Sequence, residues 1–489
     1  MLTAYKILGR ACLAGGAVLF AAALLPRAHA QTAKIDARGG YRIGEEKAIP
    51  RHLKDDEEFR IPLNQLLKYG EDLFEANWTE QEGGGRPQTK GNGNALSDPS
   101  HPLTGARGFN RLSAPDSNSC FGCHNEPNGR PGGGGDFVTN VFVLGQRFDF
   151  LTFDRSDKVP TRGAVDEDKR DVTLQDAADM RSTPGMFGAG YIEMLAREMT
   201  TDLQAIRDSM KKGETRHLVA KGVSFGYLTL RPDATWDTSK VEGLTRLSIA
   251  APTPVTKPNL IIRPWAQGSN VVSLREFSNN AFNQHHGMQS TERFGIDTDF
   301  DGDGFTNELT RADMTAISLW QASLALPGRV IPRDPEIEKA VLNGEHMFTK
   351  FGCASCHIPA LPLDKKGWIY SEPNPFNPPL NLQPGTTKTI SMDLNDKHLP
   401  LPRLAPDPAN PDIVWVPAYT DLRTHDISGP DDSKEPLDQN QTPWTSKFFD
   451  GNRRFLTKRL WGRANQPPYF HNGLFTTLRQ AVLGHYGEA

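Results

Sequence analysis

Two distant stretches of the chain place apolar residues at helical spacing. In the first, Leu63, Leu66, Leu67, Gly70, Leu73 and Phe74 recur at intervals of three and four, which predicts an amphipathic helix. In the second, Ile337, Val341, Gly344 and Phe348 do the same. The wording also repeats: Gly70-Glu71-Asp72-Leu73-Phe74 is matched by Gly344-Glu345-His346-Met347-Phe348. Thr200 to Lys212 and Arg311 to Leu326 predict further helices, with Pro327 closing the second. Phe137 to Val143 and Val223 to Leu230 are rich in β-formers and predict hairpin strands. Residues 31–60 are polar and read as an arm. Thr79 to Ser119, rich in Gly, Asn and Pro, reads as a long inserted loop, and residues 371–411 as another. Pro327, Pro332 and Pro335 separate the Arg311 helix from the second striped helix. They mark a domain boundary near residue 330.

Composition sharpens this picture. With 489 residues, the chain is too long for one small core. Apolar residues make up 37% and charged residues 23%, values of a globular protein. The 45 Gly and 37 Pro predict many loops. A net charge of −4 without a basic run excludes nucleic acid as the expected partner. The first 30 residues read as a cleaved signal peptide. Lys6 and Arg10 precede an uncharged run from Leu13 to Leu25, and Ala28-His29-Ala30 supplies a small-residue cleavage site. The run is too short to span a bilayer. The expectation is a periplasmic protein with no membrane span after processing.

Cysteine usage brings in chemistry. Cys12 lies in the leader, and the other four cysteines form Cys120-Phe-Gly-Cys123-His124 and Cys353-Ala-Ser-Cys356-His357. On a helical turn, residues i and i+3 share a face. Two such thiols reach the two vinyl groups on one porphyrin edge, and the following His reaches the iron. The other uses of paired cysteines fit less well. A zinc site needs four ligands close together, a thioredoxin-like redox pair needs no following His, and two disulfides leave both histidines unexplained. The sequence therefore predicts two heme c groups, held by Cys120 and Cys123 with His124 and by Cys353 and Cys356 with His357. Each motif comes with one of the repeated helices. The expected fold is mainly α, with two cytochrome c-like heme domains at 31–330 and 331–489, long irregular loops and minor β-hairpins.

One more motif stands apart. Asp297-Thr-Asp299-Phe-Asp301-Gly302-Asp303-Gly304-Phe-Thr-Asn-Glu308 follows the calcium-loop pattern. Asp297, Asp299, Asp301 and Glu308 would give side-chain oxygens and Asp303 its carbonyl. Gly304 departs from the pattern, which usually has a branched apolar residue there. A solvated Asp-rich turn that caps the next helix is the other reading.

Several segments together resemble the bacterial diheme cytochrome c peroxidase superfamily, and within it the diheme oxidoreductase family, some of whose members are labelled thiol oxidoreductases. They are the two Cys-x-x-Cys-His motifs, Val223-Ser-Phe-Gly-Tyr-Leu228, Phe282-Asn-Gln-His-His-Gly-Met288, Asp301-Gly-Asp-Gly304, Tyr419-Thr-Asp-Leu-Arg-Thr-His-Asp426, Pro468-Tyr-Phe-His-Asn-Gly473 and His485-Tyr-Gly-Glu-Ala489. In that superfamily the second heme's distal ligand lies 14 residues after the His of the Tyr-Phe-His element, which from His471 lands on His485. The cytochrome c peroxidases carry Met there and the methylamine-utilisation enzyme Tyr. The resemblance thus implies a His357/His485 second heme, with His471 as a supporting residue. Loss of thioether ligation implies a lower potential. It further implies that the first heme reacts with peroxide or a related small oxidant, with Glu193 as acid/base and His286, or His285 beside it, as a distal ligand. Trp265 and Trp320 would be candidate electron relays. A small cytochrome or copper protein would be the donor. Two alternatives stay open: a non-catalytic electron-transfer cytochrome, and a diheme enzyme that oxidises a protein or organic substrate. The thiol label finds no support, because heme attachment consumes every cysteine outside the leader.

Overall fold

The computed structural model describes residues 47–84, 113–114, 118–135, 141–144, 178–299, 303–329, 331–429, 435, 438–442, 445–463 and 466–488. The signal peptide, most of the 79–119 insertion, Phe137 to Asn140, and Asp301 with Gly302 lie outside these residues. The main helices are α1 (Leu63–Glu75), the single turn α2 (Cys120–Cys123), α3 (Ala189–Asp208), α4 (Leu274–Ala281), α5 (Arg311–Ser323), α6 (Pro335–Lys350) and α7 (Leu478–Leu483).

The stripe on α1 is its buried face, with Leu66, Gly70, Leu73 and Phe74 turned inward. It lies against α5. A Cβ at Gly70 would stand 2.2 Å from the Ala316 carbonyl oxygen and 2.8 Å from Trp320 Cβ, so glycine lets the two backbones cross this closely. Helix α5 is buried from Ala312 to Ser323, which is why its sequence shows no clean stripe. Its N-terminus is fixed by a capping box between Thr310 and Asp313. Asp313 also accepts from the Leu53 amide at 3.1 Å and the Tyr69 hydroxyl at 2.7 Å, and meets His52 Nδ1 at 2.7 Å. Ile49 and Leu53 are buried. From residue 47 onward the expected arm is therefore part of the core.

Helix α3 starts well before the predicted Thr200. Residues 189–200 are buried on all sides, so apolar periodicity marked only its more exposed C-terminal half. Strands β4 (Glu214–Ala220), β5 (Val223–Leu230) and β6 (Trp236–Val241) follow, after the short β1 (Ser113–Ala114), β2 (Val141–Leu144) and β3 (Ala178–Arg181). Both sets form three-stranded antiparallel sheets, β1-β2-β3 and β4-β5-β6. Lys221 and Gly222 join β4 to β5 with φ of 50° and 80°, the left-handed pair that tight hairpins use.

The C-terminal third adds three two-stranded pairs. They are β7 (Leu361–Leu363) with β10 (Val414–Val416), β8 (Ile369–Glu372) with β9 (Ile390–Asp393), and β11 (Thr424–Asp426) with β12 (Arg454–Leu456). The expectation of a mainly α protein is thus overturned: about 30% of the chain is helical and 15% is strand, spread over several small sheets. Strands of three or four residues show too few alternations to register as period two, and those after β7 lie in or beside stretches rich in Pro and Asn.

The region after residue 360 packs back on the helices before it. Tyr191 donates to the Leu394 carbonyl at 2.7 Å, and Arg197 to the Ser371 carbonyl at 2.9 Å. Fully buried Arg275 pairs with Glu292 at 2.8 Å and Glu372 at 3.3 Å. Lys47–Ala489 forms one compact unit. Helix α6 differs from the other long helices in having no buried side chain.

Candidate cofactor sites

The first Cys-x-x-Cys-His motif is one helical turn. The His124 amide bonds to the Cys120 carbonyl at 3.0 Å, which places both thiols on one face with His124 directly after them. His124 Nδ1 lies 3.2 Å from the Gly133 carbonyl, and the Pro184 carbonyl is a second partner. Burial holds the imidazole neutral, with its pKa pushed down to about 4. A neutral ring that donates from Nδ1 keeps a lone pair on Nε2 for a metal. The receiving loop is tight: a Cβ on Gly133 would sit 2.1 Å from the Glu126 carbonyl oxygen.

His124 lines a partly open cavity of about 140 Å³. Its apolar walls include Met186, Trp265, Val271, Leu274 and Phe277. Arg459 lines it as well. Burial and the charge of Arg463 push the Arg459 pKa down to about 9. Arg459 bonds to the Gly185 carbonyl and covers the Trp265 ring at 5.6 Å, and neither it nor Arg463 has a carboxylate partner among the described residues. Burial and the neighbouring Cys123 push the Cys120 thiol up to about 12, so it is no ready thiolate. Neutral His, paired thiols outside any disulfide, apolar walls and an uncompensated cation fit a porphyrin that carries carboxylates.

The second motif is a 3-10 turn, Cys353–Ser355, after α6. The His357 amide bonds to the Cys353 carbonyl at 2.9 Å, and its Nδ1 meets the Tyr419 carbonyl at 2.9 Å. Burial, then the nearby positive field of His485, lowers the His357 pKa, against the pull of the Tyr419 bond. His485 follows α7, with its Nδ1 2.7 Å from the Ala481 carbonyl and its ring edge-on to Phe470 at 5.5 Å. Both imidazoles are thus tethered at Nδ1. His471 is buried and stacked on Phe455 at 3.7 Å. Its carbonyl accepts from the Ser182 amide at 3.1 Å, and Ser182 lines the first cavity. The Tyr-Phe-His element therefore touches both sites.

The remaining candidates divide. Glu193 is fully buried and does not line the cavity. It accepts from Arg197 at 2.6 Å, Asn374 and the Leu274 amide at 2.7 Å, Trp265 at 3.3 Å and Tyr370 at 3.4 Å. It stands behind Trp265 and Leu274, which are in the wall. His285 lines the cavity, whereas His286 Nε2 lies 3.4 Å from Cys120 Sγ. Trp320 packs on Phe74 at 4.5 Å, and Phe74 lies 6.0 Å from His124.

In the acidic loop, Asp297 pairs with Asn307, Asp299 accepts from the amides of Asp303 and Gly304, and Asp303 accepts from the Phe305 amide. Glu308 turns inward, buried, and accepts from the Gln289 amide at 2.7 Å. Among the described residues these carboxylates do not bring three ligand oxygens within 4.8 Å of one another. Asp301 lies outside those residues.

Sequence reasoning missed three features. The cationic pair Arg459 and Arg463 is distant in sequence from both motifs and gave no signal. Asp421 and His425, 2.8 Å apart beside Cys356, sat in a quoted segment without a role. The third is a π-helical turn, Phe282–His286, that extends α4.

Each of these turns presents two thiols with a tethered imidazole directly after them. Over 141 residues, 29% of its length, the chain is 29% identical to a protein described as cytochrome-c peroxidase IdrP2 from Denitromonas iodatirespirans. The match spans 29% of that protein too. No protein-family model and no solved structure matches the chain.

Proposed function

We propose that this is a periplasmic diheme c-type cytochrome that reduces hydrogen peroxide or a related small oxidant at the cavity beside His124. Electrons enter at the His357/His485 site from a small cytochrome or copper protein. The observation that carries the reading is the partly open cavity lined by His124, Trp265 and Arg459, set against a second motif at which His485 lies near enough to act on His357. The partial likeness to a cytochrome-c peroxidase supports a peroxidase-like oxidoreductase and implies heme.

Heme iron, when bound, supplies one-electron steps and a coordination position. The chain supplies the rest. His124, tethered through Nδ1, presents Nε2. Arg459 would balance the charge of the heme carboxylates. The apolar wall thins the water around the reacting oxygens, which strengthens every electrostatic contact there. Glu193, with its donors already in place, acts through Trp265 and the start of α4 as a positioning residue.

A second reading, a pure electron-transfer cytochrome, is favoured by His285 in the same cavity as His124. Hemochrome and EPR spectra of the oxidised and half-reduced protein decide between them. Two hemes with a high-spin signal in either state, followed by peroxide turnover, bear out the first reading. Two hemes that stay low-spin throughout overturn it in favour of the second.

A further inference from the structure

Helix α4 begins conventionally, with Ser273 accepting from the Glu276 amide. Its C-terminal extension, Phe282–His286, is a π turn that closes at Gly287, φ 74°. Such turns are uncommon and often mark functional sites. Along α4 and this turn, Leu274, Phe277, Ala281 and Gln284 descend one side of the first cavity. The lining thus passes from apolar at the helix start to polar at its end.

At that polar end, Gln284 is 8% exposed and its Nε2 has no hydrogen-bond partner among the described residues. Two other amides of the wall spend their N–H groups inside the protein: Gln267 donates to the Ser182 carbonyl at 3.1 Å and Asn270 to Gln439, their own carbonyl oxygens being left without a partner among the described residues. Asn280 accepts from Arg293 at 2.7 Å. Buried N–H groups without an acceptor are costly, and native structures seldom keep them without a reason. We infer that the Gln284 amide is the hydrogen-bond donor to a small oxygen-bearing or anionic ligand held in the first cavity. This rests on the reading of that cavity as an open ligand site. A neutral donor suits such a ligand: it stabilises oxygen-centred charge, and it adds no cation to a wall that already carries Arg459.

The test uses the holoprotein, with cyanide for the oxidised and carbon monoxide for the reduced form. Gln284→Leu and the longer Gln284→Met both remove the donor and keep side-chain bulk. Each should weaken cyanide on the order of tenfold or more and raise the C–O stretching frequency, at wild-type heme content. Unchanged affinity and frequency in both variants would overturn the inference and leave the open-site reading standing. A wild type that binds neither ligand in any redox state would overturn that reading, and this inference with it.

Discussion

The two Cys-x-x-Cys-His turns start from the same local geometry and end in opposite environments. Each ties its histidine by Nδ1 to a backbone carbonyl, Gly133 in one and Tyr419 in the other. Around the first, α1, α4 and the region from Ser182 to Met186 form a wall, and Phe74 beside His124 is buried. Around the second, α6 buries no side chain. Ile337, Leu342, Phe351, Leu478 and Val482 are between 47% and 75% exposed. A walled site controls which molecules reach it. A site flanked by accessible apolar side chains suits a passing redox partner. The comparison teaches that the motif sets only the local turn, and that the elements packed around it decide how enclosed each site is.

The sharpest way to break this contrast is to remove one attachment at a time. Cys120→Ser with Cys123→Ser should leave one covalent heme per chain and abolish peroxide consumption with any donor. Cys353→Ser with Cys356→Ser should also leave one heme. It should abolish turnover with a protein donor yet keep cyanide binding at the other site. Hemochrome counts, stopped-flow turnover and cyanide titration read all three properties. If the first pair of substitutions spares peroxide consumption with a small donor and the second abolishes it with every donor, the assignment of roles is inverted.

Legibility in the sequence followed the same division. The two Cys-x-x-Cys-His turns, α1, α6 and strand β5 could be read because each writes a regular pattern over several residues. The packing behind the site could be read only in part. Arg311 to Leu326 marks α5, but α3 begins at Ala189 and not at Thr200, because its first half is buried on every side and lacks the polar face that makes a stripe visible. Arg459 and Gln284 acquire meaning only from what they lack among the described residues, a carboxylate for one and an acceptor for the other. Glu193 shows the opposite case. The resemblance offered it as an acid/base group, and the fold surrounds it with five donors. Local spacing carries no information about partners that arrive from residues 265, 274, 370 and 374.

That crowding around Glu193 gives the next prediction. Glu193→Gln removes the charge that Arg197 meets at 2.6 Å in a fully buried setting. Breaking a buried pair from one side costs about 3–5 kcal/mol, partly offset here by Glu372, 3.8 Å from Arg197. The variant should lose stability by denaturant titration, with a disturbed Trp265 fluorescence signal. Its peroxide activity per folded, heme-loaded molecule should stay within several-fold of wild type. A variant of wild-type stability whose activity falls a thousandfold would restore Glu193 as the proton-transfer group and make the first site's wall chemically active.

The smallest effect concerns the edge of that wall. His52 ties the segment before α1 to Asp313 at the start of α5. Burial lowers its pKa, but the hydrogen bond and charge of Asp313, with a lesser pull from Glu82, outweigh this and raise it above 6.5 overall. A histidine whose pKa is higher in the folded protein stabilises it fully below the unfolded value and loses that contribution as pH rises through the folded value. The partly exposed site limits this to about 1 kcal/mol or less. Protection of residues 47–60 against proteolysis or amide exchange should therefore be strongest below about pH 6.5 and weaken on the alkaline side. His52→Gln keeps a donor for Asp313 and should flatten this dependence. If the pH dependence persists in His52→Gln, another group sets it. The Asp313 junction would then be held by the Tyr69 hydroxyl and the Leu53 amide, bonds that do not change over that range.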